Sequence, residues 1–113
     1  MARQSITVLA DIYLQKLKHI KVFVFDIDGV LTDGNINVTD DGVFFRSTSV
    51  KDGYGIAKAL KAGFKIVVIS GGSAEGVKIR LNRLGVDDVF LHVKNKLEVL
   101  DSWLMKNNYQ RED

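Results

Sequence analysis

Residues 22–34 read Val22-Phe23-Val24-Phe25-Asp26-Ile27-Asp28-Gly29-Val30-Leu31-Thr32-Asp33-Gly34. Four consecutive apolar residues, two β-branched and two aromatic, make a short buried strand. The strand runs straight into two carboxylates one residue apart. Charged groups are rarely buried unless paired or bound to a metal. In open α/β sheets, ligands bind just beyond the carboxyl ends of the strands. Position and composition together mark residues 26–34 as the place for chemistry. A bare D-x-D is commonly a pair of turn aspartates, but that reading leaves the whole nine-residue run after an apolar strand unexplained.

Outward from this run, the chain alternates between two hydrophobic periods. Ile6, Leu9, Ala10, Tyr13, Leu14 and Leu17 have helical spacing behind Ser5 as N-cap. Residues 35–39 and 43–48 flank Asp40-Asp41-Gly42, whose acidic-glycine chemistry suits a hairpin turn. Asp52 is placed to cap a second helix, with Ile56, Ala59 and Leu60 on one side and Gly63 at its end. Residues 64–69 form a second buried strand. Ser73 opens a third helix with Val77, Leu81 and Leu84 inward and Gly85 after it. Residues 89–91 form a third strand, and Asn95 opens a fourth helix carrying Leu97, Leu100, Trp103 and Leu104. Strands alternating with helices predict an α/β fold, a Rossmann-like parallel sheet with helices on both faces. The hairpin inserted after the first strand is its one irregular element. A simple first-second-third strand order would leave an apolar strand at the sheet edge, which natural proteins avoid. A further strand is therefore expected beyond the C-terminus.

Composition bounds the function. The 113 residues suit one domain with a modest core. A net charge of +2 without a basic run supports neither nucleic-acid nor membrane-surface partners. The lack of cysteine removes disulfide and thiol chemistry. No apolar stretch approaches a membrane span, and no signal-peptide pattern opens the chain, so a cytoplasmic protein is expected. His19 and His92 have no partner at metal-ligand spacing.

Asp26 suits nucleophilic attack on a phosphate ester, forming an acyl phosphate. Asp28 would protonate the leaving alcohol and then activate water. Carboxylates this close repel unless a cation stands between them, which implies a hard, oxygen-preferring ion such as Mg²⁺. Ser70-Gly71-Gly72-Ser73 joins the second strand to a helix and suits a phosphate, although a capped strand-to-helix turn would look the same. Lys96 would neutralise phosphate and the Asp26 charge there, or simply be a solvated lysine. Ser49-Val50-Lys51-Asp52-Gly53-Tyr54-Gly55-Ile56 offers Lys51 to an anion and glycines for close approach, or is a capped helix start.

These residues converge on one family. The run 26–34 resembles the first motif of the haloacid dehalogenase superfamily. Ser70-Gly71 and Asn95-Lys96 resemble its second and third motifs. The hairpin and Lys51-Asp52-Gly53-Tyr54-Gly55-Ile56 resemble the capless branch containing the 3-deoxy-D-manno-octulosonate 8-phosphate phosphatases. The resemblance implies Asp26 as nucleophile and metal ligand, and Asp28 as general acid/base lending its carbonyl to Mg²⁺. It implies Ser70, Gly71 and Lys96 around the phosphate. Ser49, Val50, Lys51, Asp52, Gly53 and Arg80 would lie near the sugar acid. It further implies a homotetramer packed through the hairpin, which would account for Val43, Phe44 and Phe45 on a ribbon, and a place in bacterial lipopolysaccharide synthesis. Three departures stand out: the fourth, acidic motif does not occur within 1–113, an arginine often found in the second motif is Gly72, and a basic residue often found early in the second helix is Ala57. The expectation is a phosphatase domain shortened at its C-terminus. A nine-carbon 2-keto sugar acid 9-phosphate is an alternative substrate. A non-catalytic oligomerisation module, like those fused to sugar-acid nucleotidyltransferases, and a phosphate-accepting signalling domain are the alternatives of other classes.

Overall fold

The computed structural model describes residues 2–113. The elements in chain order are α1 (Ala2–Leu17), β1 (Val22–Phe25), β2 (Asn37–Val38), β3 (Phe44–Phe45), α2 (Val50–Lys61), β4 (Lys65–Ile69), α3 (Glu75–Leu84), β5 (Asp88–Phe90) and α4 (Lys96–Lys106). β1, β4 and β5 form a parallel sheet in that order, and β2 pairs antiparallel with β3 as the inserted hairpin. The α/β architecture read from the sequence is the one observed.

β4 organises the core. Successive strand residues point to opposite faces. Ile66 and Val68 therefore join Ile56, Val77 and Leu81 of α2 and α3. Val67 and Ile69 join Trp103 and Leu104 of α4 on the other face. A strand wedged between two layers needs apolar residues at every position, and only Lys65 at its entrance departs from this.

β1 differs from the buried strand expected. It lies at the sheet edge, with Phe23 and Val24 37% and 42% exposed. Phe23 stacks with Phe25 and tilts against Phe64, which shields part of one face. On its open side, the carbonyl of Asp113 accepts from the backbone N–H groups of Lys21 and Val22. α1 presents the apolar stripe its spacing predicts, yet Ile6, Leu9, Tyr13, Leu14 and Leu17 are all exposed. Periodicity identifies an apolar face but not what covers it. No helix among the described residues is long and apolar enough to cross a membrane.

The caps correct three sequence expectations. Ser49, not Asp52, caps α2: its Oγ accepts from the Asp52 N–H at 3.3 Å, so the helix starts earlier. Ser73 does not cap α3, which begins at Glu75 after Ala74 with no side-chain cap. Ser5 lies inside α1 rather than before it. Asn95 caps α4 as expected, accepting from Glu98 N–H at 3.1 Å.

Ile27, fully buried between the two carboxylates, accepts backbone bonds from Val30, Leu31 and Thr32. Truncating a buried isoleucine costs about 2–5 kcal/mol. Urea denaturation of Ile27→Ala is expected to show a loss in that range. Met105→Ala, on an exposed side chain, should change stability by less than about 0.5 kcal/mol.

Candidate active site

The loop after β1 is folded by its own side chains. Thr32 Oγ1 accepts from the N–H groups of both Gly29 and Gly34 at 3.2 Å. Asp33 accepts from Asn35 N–H at 2.9 Å, an Asx turn. Gly29 and Gly34 take φ of 81° and 86°, where a side chain would strain the backbone. Thr32 and Asp33 thus shape the loop, which leaves Asp26 and Asp28 for other work.

Asp26 leaves the end of β1. Its Oδ1 accepts from Ile27 N–H at 2.7 Å and its Oδ2 from Lys96 Nζ at 2.8 Å. Burial alone would raise its carboxyl pKa. The Lys96 hydrogen bond, the Ile27 N–H, the Lys96 charge and the Ser70 hydroxyl together hold it below its ordinary value of 3.8. Asp26 is therefore ionised at neutral pH.

Asp28 faces a partner that sequence reasoning missed. Arg46, at the foot of the hairpin, donates from Nε to Oδ1 at 2.7 Å and from Nη2 to Oδ2 at 3.4 Å. Arg46 is 92% buried on its side chain, being 8% exposed, while Asp28 is 33% exposed. Gly72 makes room for this pair: a Cβ there would lie 3.2 Å from Asp28 Oδ2, 3.6 Å from Ser70 Oγ and 3.7 Å from Arg46 Nη2. The position where the family resemblance leads one to expect an arginine is thus occupied by space for a guanidinium from another element. Only the register of the hairpin brings Arg46 here, and no local motif marks it.

Ser70, almost fully buried, directs its hydroxyl toward Asp26 and accepts from Gly72 N–H at 3.2 Å. The loop is tied to the one after β5 by His92 N–H to Gly72 carbonyl and Val93 N–H to Ser70 carbonyl, at 2.9 and 3.0 Å. Gly71 packs against the Val93 carbonyl, 3.4 Å from where its Cβ would lie. Asp26, Asp28, Ser70, Gly71 and Lys96 therefore share one sheet end. The second group of expected residues divides. Ser49, Asp52, Gly53 and Arg80 line a common crevice, and a Cβ on Gly53 would lie 2.9 Å from Arg80 Nη2. Lys51 instead borders a cleft with Phe23, Phe25 and Val30, and Val50 points to solvent. Arg80 also reaches a cleft beside the active end, shared with Arg46, Thr48 and Ser73.

The charge argument for a metal resolves differently in the structure. Each carboxylate has its own cation, Lys96 for Asp26 and Arg46 for Asp28. Among the described residues no three His, Cys, Asp or Glu are grouped to hold a metal ion. The donors still suit a hard divalent cation in kind. Asp26 Oδ2 is met by a half-exposed lysine, and among the described residues no backbone N–H donates to the Asp28 carbonyl.

Comparison with known proteins bears directly on this geometry. No protein-family model matches the sequence. The chain is 34% identical over 99 residues to the 3-deoxy-D-manno-octulosonate 8-phosphate phosphatase of Escherichia coli K12, covering 88% of this chain and 52% of the relative. The chain belongs to the haloacid dehalogenase superfamily, in the family of these phosphatases. The family's enzyme from Moraxella catarrhalis, solved in complex with magnesium ion, phosphate ion and KDO molecule, superposes with a TM-score of 0.83 at 32% identity over 87% of this chain and 56% of its own. A cobalt-bound family member from Haemophilus influenzae gives 0.79 at 31% identity over 86% and 57%. The chain thus spans about half the length of the family members it matches.

Two outcomes follow. A carboxyl held below its ordinary value contributes stability that is fully present above that value and is lost as pH falls through the lower, folded one. Wild type should therefore melt above Lys96→Met near about pH 6, and the gap should narrow as pH falls below the ordinary value of 3.8. Partial exposure of both groups keeps the gap small. Gly53→Ala should displace the Arg80 guanidinium at little cost, because only the far end of a flexible side chain must move and alanine favours the helix by about 1 kcal/mol over glycine, so the thermal midpoint should hold or rise.

Proposed function

We propose that this chain carries the catalytic half-site of a phosphomonoester hydrolase acting on 3-deoxy-D-manno-octulosonate 8-phosphate. The observation that carries the reading is the ionised Asp26 held between Lys96 and the Ser70 hydroxyl at the end of the first strand. A nucleophile flanked by a cation and a hydroxyl donor is complementary to a phosphoryl group arriving in line.

Asp26 attacks phosphorus, the ester P–O bond breaks, and Asp28 gives its proton to the departing sugar oxygen. Water then attacks the phosphorus of the aspartyl phosphate while Asp28 takes the water proton. Phosphate leaves and Asp26 is restored. Lys96 and the Ser70–Gly71 segment bind the phosphoryl oxygens through charge, hydroxyl and backbone N–H. A divalent cation, Mg²⁺ in our reading, would be held by the Asp26 carboxylate and the Asp28 carbonyl. It would neutralise charge on the transferring group. Arg80, beside Gly53 and facing the cleft shared with Arg46 and Ser73, is the cation placed to meet the carboxylate end of the sugar acid.

The reading places the protein in the cytoplasm, upstream of lipopolysaccharide assembly. It would assemble as a homotetramer through the hairpin, whose Val38, Val43, Phe44 and Phe45 are all exposed. The nine-carbon homologue of the substrate would use the same residues.

Phosphate release from 3-deoxy-D-manno-octulosonate 8-phosphate is the test. Release should require added Mg²⁺ and fall roughly a thousandfold or more in Asp26→Asn. A wild-type chain that releases no phosphate from either sugar-acid phosphate would overturn the reading, and one that also binds no Mg²⁺ would favour an assembly module.

A further inference from the structure

The two carboxylates of the D-x-D run are paired in unlike ways. Lys96 meets Asp26 through one hydrogen bond, with the lysine side chain 49% exposed. A lone ammonium on a flexible stem is readily displaced by a small divalent cation. Arg46 meets both oxygens of Asp28 from a buried position, in a slot that Gly72 keeps open. A planar guanidinium in a two-point pair is held by geometry as well as charge. Breaking it would leave a buried cation without a partner, which is strongly unfavourable.

We propose that Arg46 is a positioning residue that keeps the Asp28 side chain out of the coordination of the divalent cation. Two carboxylates one residue apart would otherwise both serve as ligands of that cation. Bound as a ligand, Asp28 could not transfer protons. Arg46 anchors Oδ1 at 2.7 Å and holds Oδ2 only loosely at 3.4 Å. Oδ2 is the oxygen that faces Gly72, beside Ser70. The pair thus fixes the carboxylate by one oxygen and presents the other to the phosphate loop. This role rests on the functional reading above, in which Asp26 holds the cation and Asp28 handles protons.

The experiment is a cation titration rather than an assay of turnover. Mn²⁺ binding is followed by water-proton relaxation, with Mg²⁺ as competitor, in wild type, Arg46→Met, Asp28→Asn and the double variant. Arg46→Met frees the Asp28 carboxylate and is expected to bind Mn²⁺ at least roughly tenfold more tightly than wild type. The gain should vanish when Asp28 is already Asn. A purely structural arginine would leave cation affinity unchanged or weaken it. Equal or weaker binding in Arg46→Met, an equal gain in the Asp28→Asn background, or no binding in any of the four proteins overturns the proposal. If Arg46→Met does not fold, Arg46→Lys replaces it. It keeps the charge but makes a one-point contact, and a gain of roughly threefold or more is then expected, dependent on Asp28 in the same way. A wild-type chain without phosphatase activity would count against the functional reading alone, because this comparison is scored on cation binding.

Discussion

The parallel pairing of β1 with β4 is the constraint on which everything at the site depends. Its register sets Val22 against Lys65 and Phe25 against Val68. β1 therefore ends one residue short of β4, and the first residues beyond them, Asp26 and Ser70, lie at the same end of the sheet. A one-residue slip would turn every β4 side chain to the opposite layer. Ile66 and Val68 would leave the α2–α3 core, and Val67 and Ile69 would leave α4. Core packing on both faces of one strand thus fixes the position of a carboxylate, Asp26, that takes no part in the core.

That arrangement also solves an electrostatic problem. Like charges on two carboxylates at a strand end would repel one another in a medium less polar than water. The fold supplies one cation from the start of α4 and another from the foot of the hairpin. They stand 70 and 18 residues from their partners in the chain. The hairpin therefore reaches the carboxylate end of the sheet through Arg46 as well as forming an apolar ribbon. Gly72 serves the same end, because a side chain there would crowd Asp28 Oδ2 and the Arg46 guanidinium.

Much of this was legible in the sequence. The apolar runs 22–25 and 66–69, the Asp40-Asp41-Gly42 turn and the Asn95 cap each carry a local physical signature, and each is found where expected. Ser49 and Asp52 were harder, because both are good caps and only backbone geometry selects Ser49. Ser73 looked like a cap yet precedes a helix that has no side-chain cap. β1 looked interior because Val22, Phe23, Val24 and Phe25 are all apolar, a pattern that does not say which neighbours a strand finds. Arg46 was invisible: a single arginine after two phenylalanines has no pattern until the hairpin folds back over the sheet end.

The sequence by itself determined the kinds of groups at the strand ends and their local order: carboxylates after β1, a hydroxyl and glycines after β4, and a lysine behind the cap of α4. These follow from short-range physics, in which period, turn chemistry and capping act over a few residues. Only the tertiary structure decided which charge meets which. Strand register and hairpin placement bring together groups far apart in the chain, and the pairing of Asp26 with Lys96 and of Asp28 with Arg46 follows from that geometry.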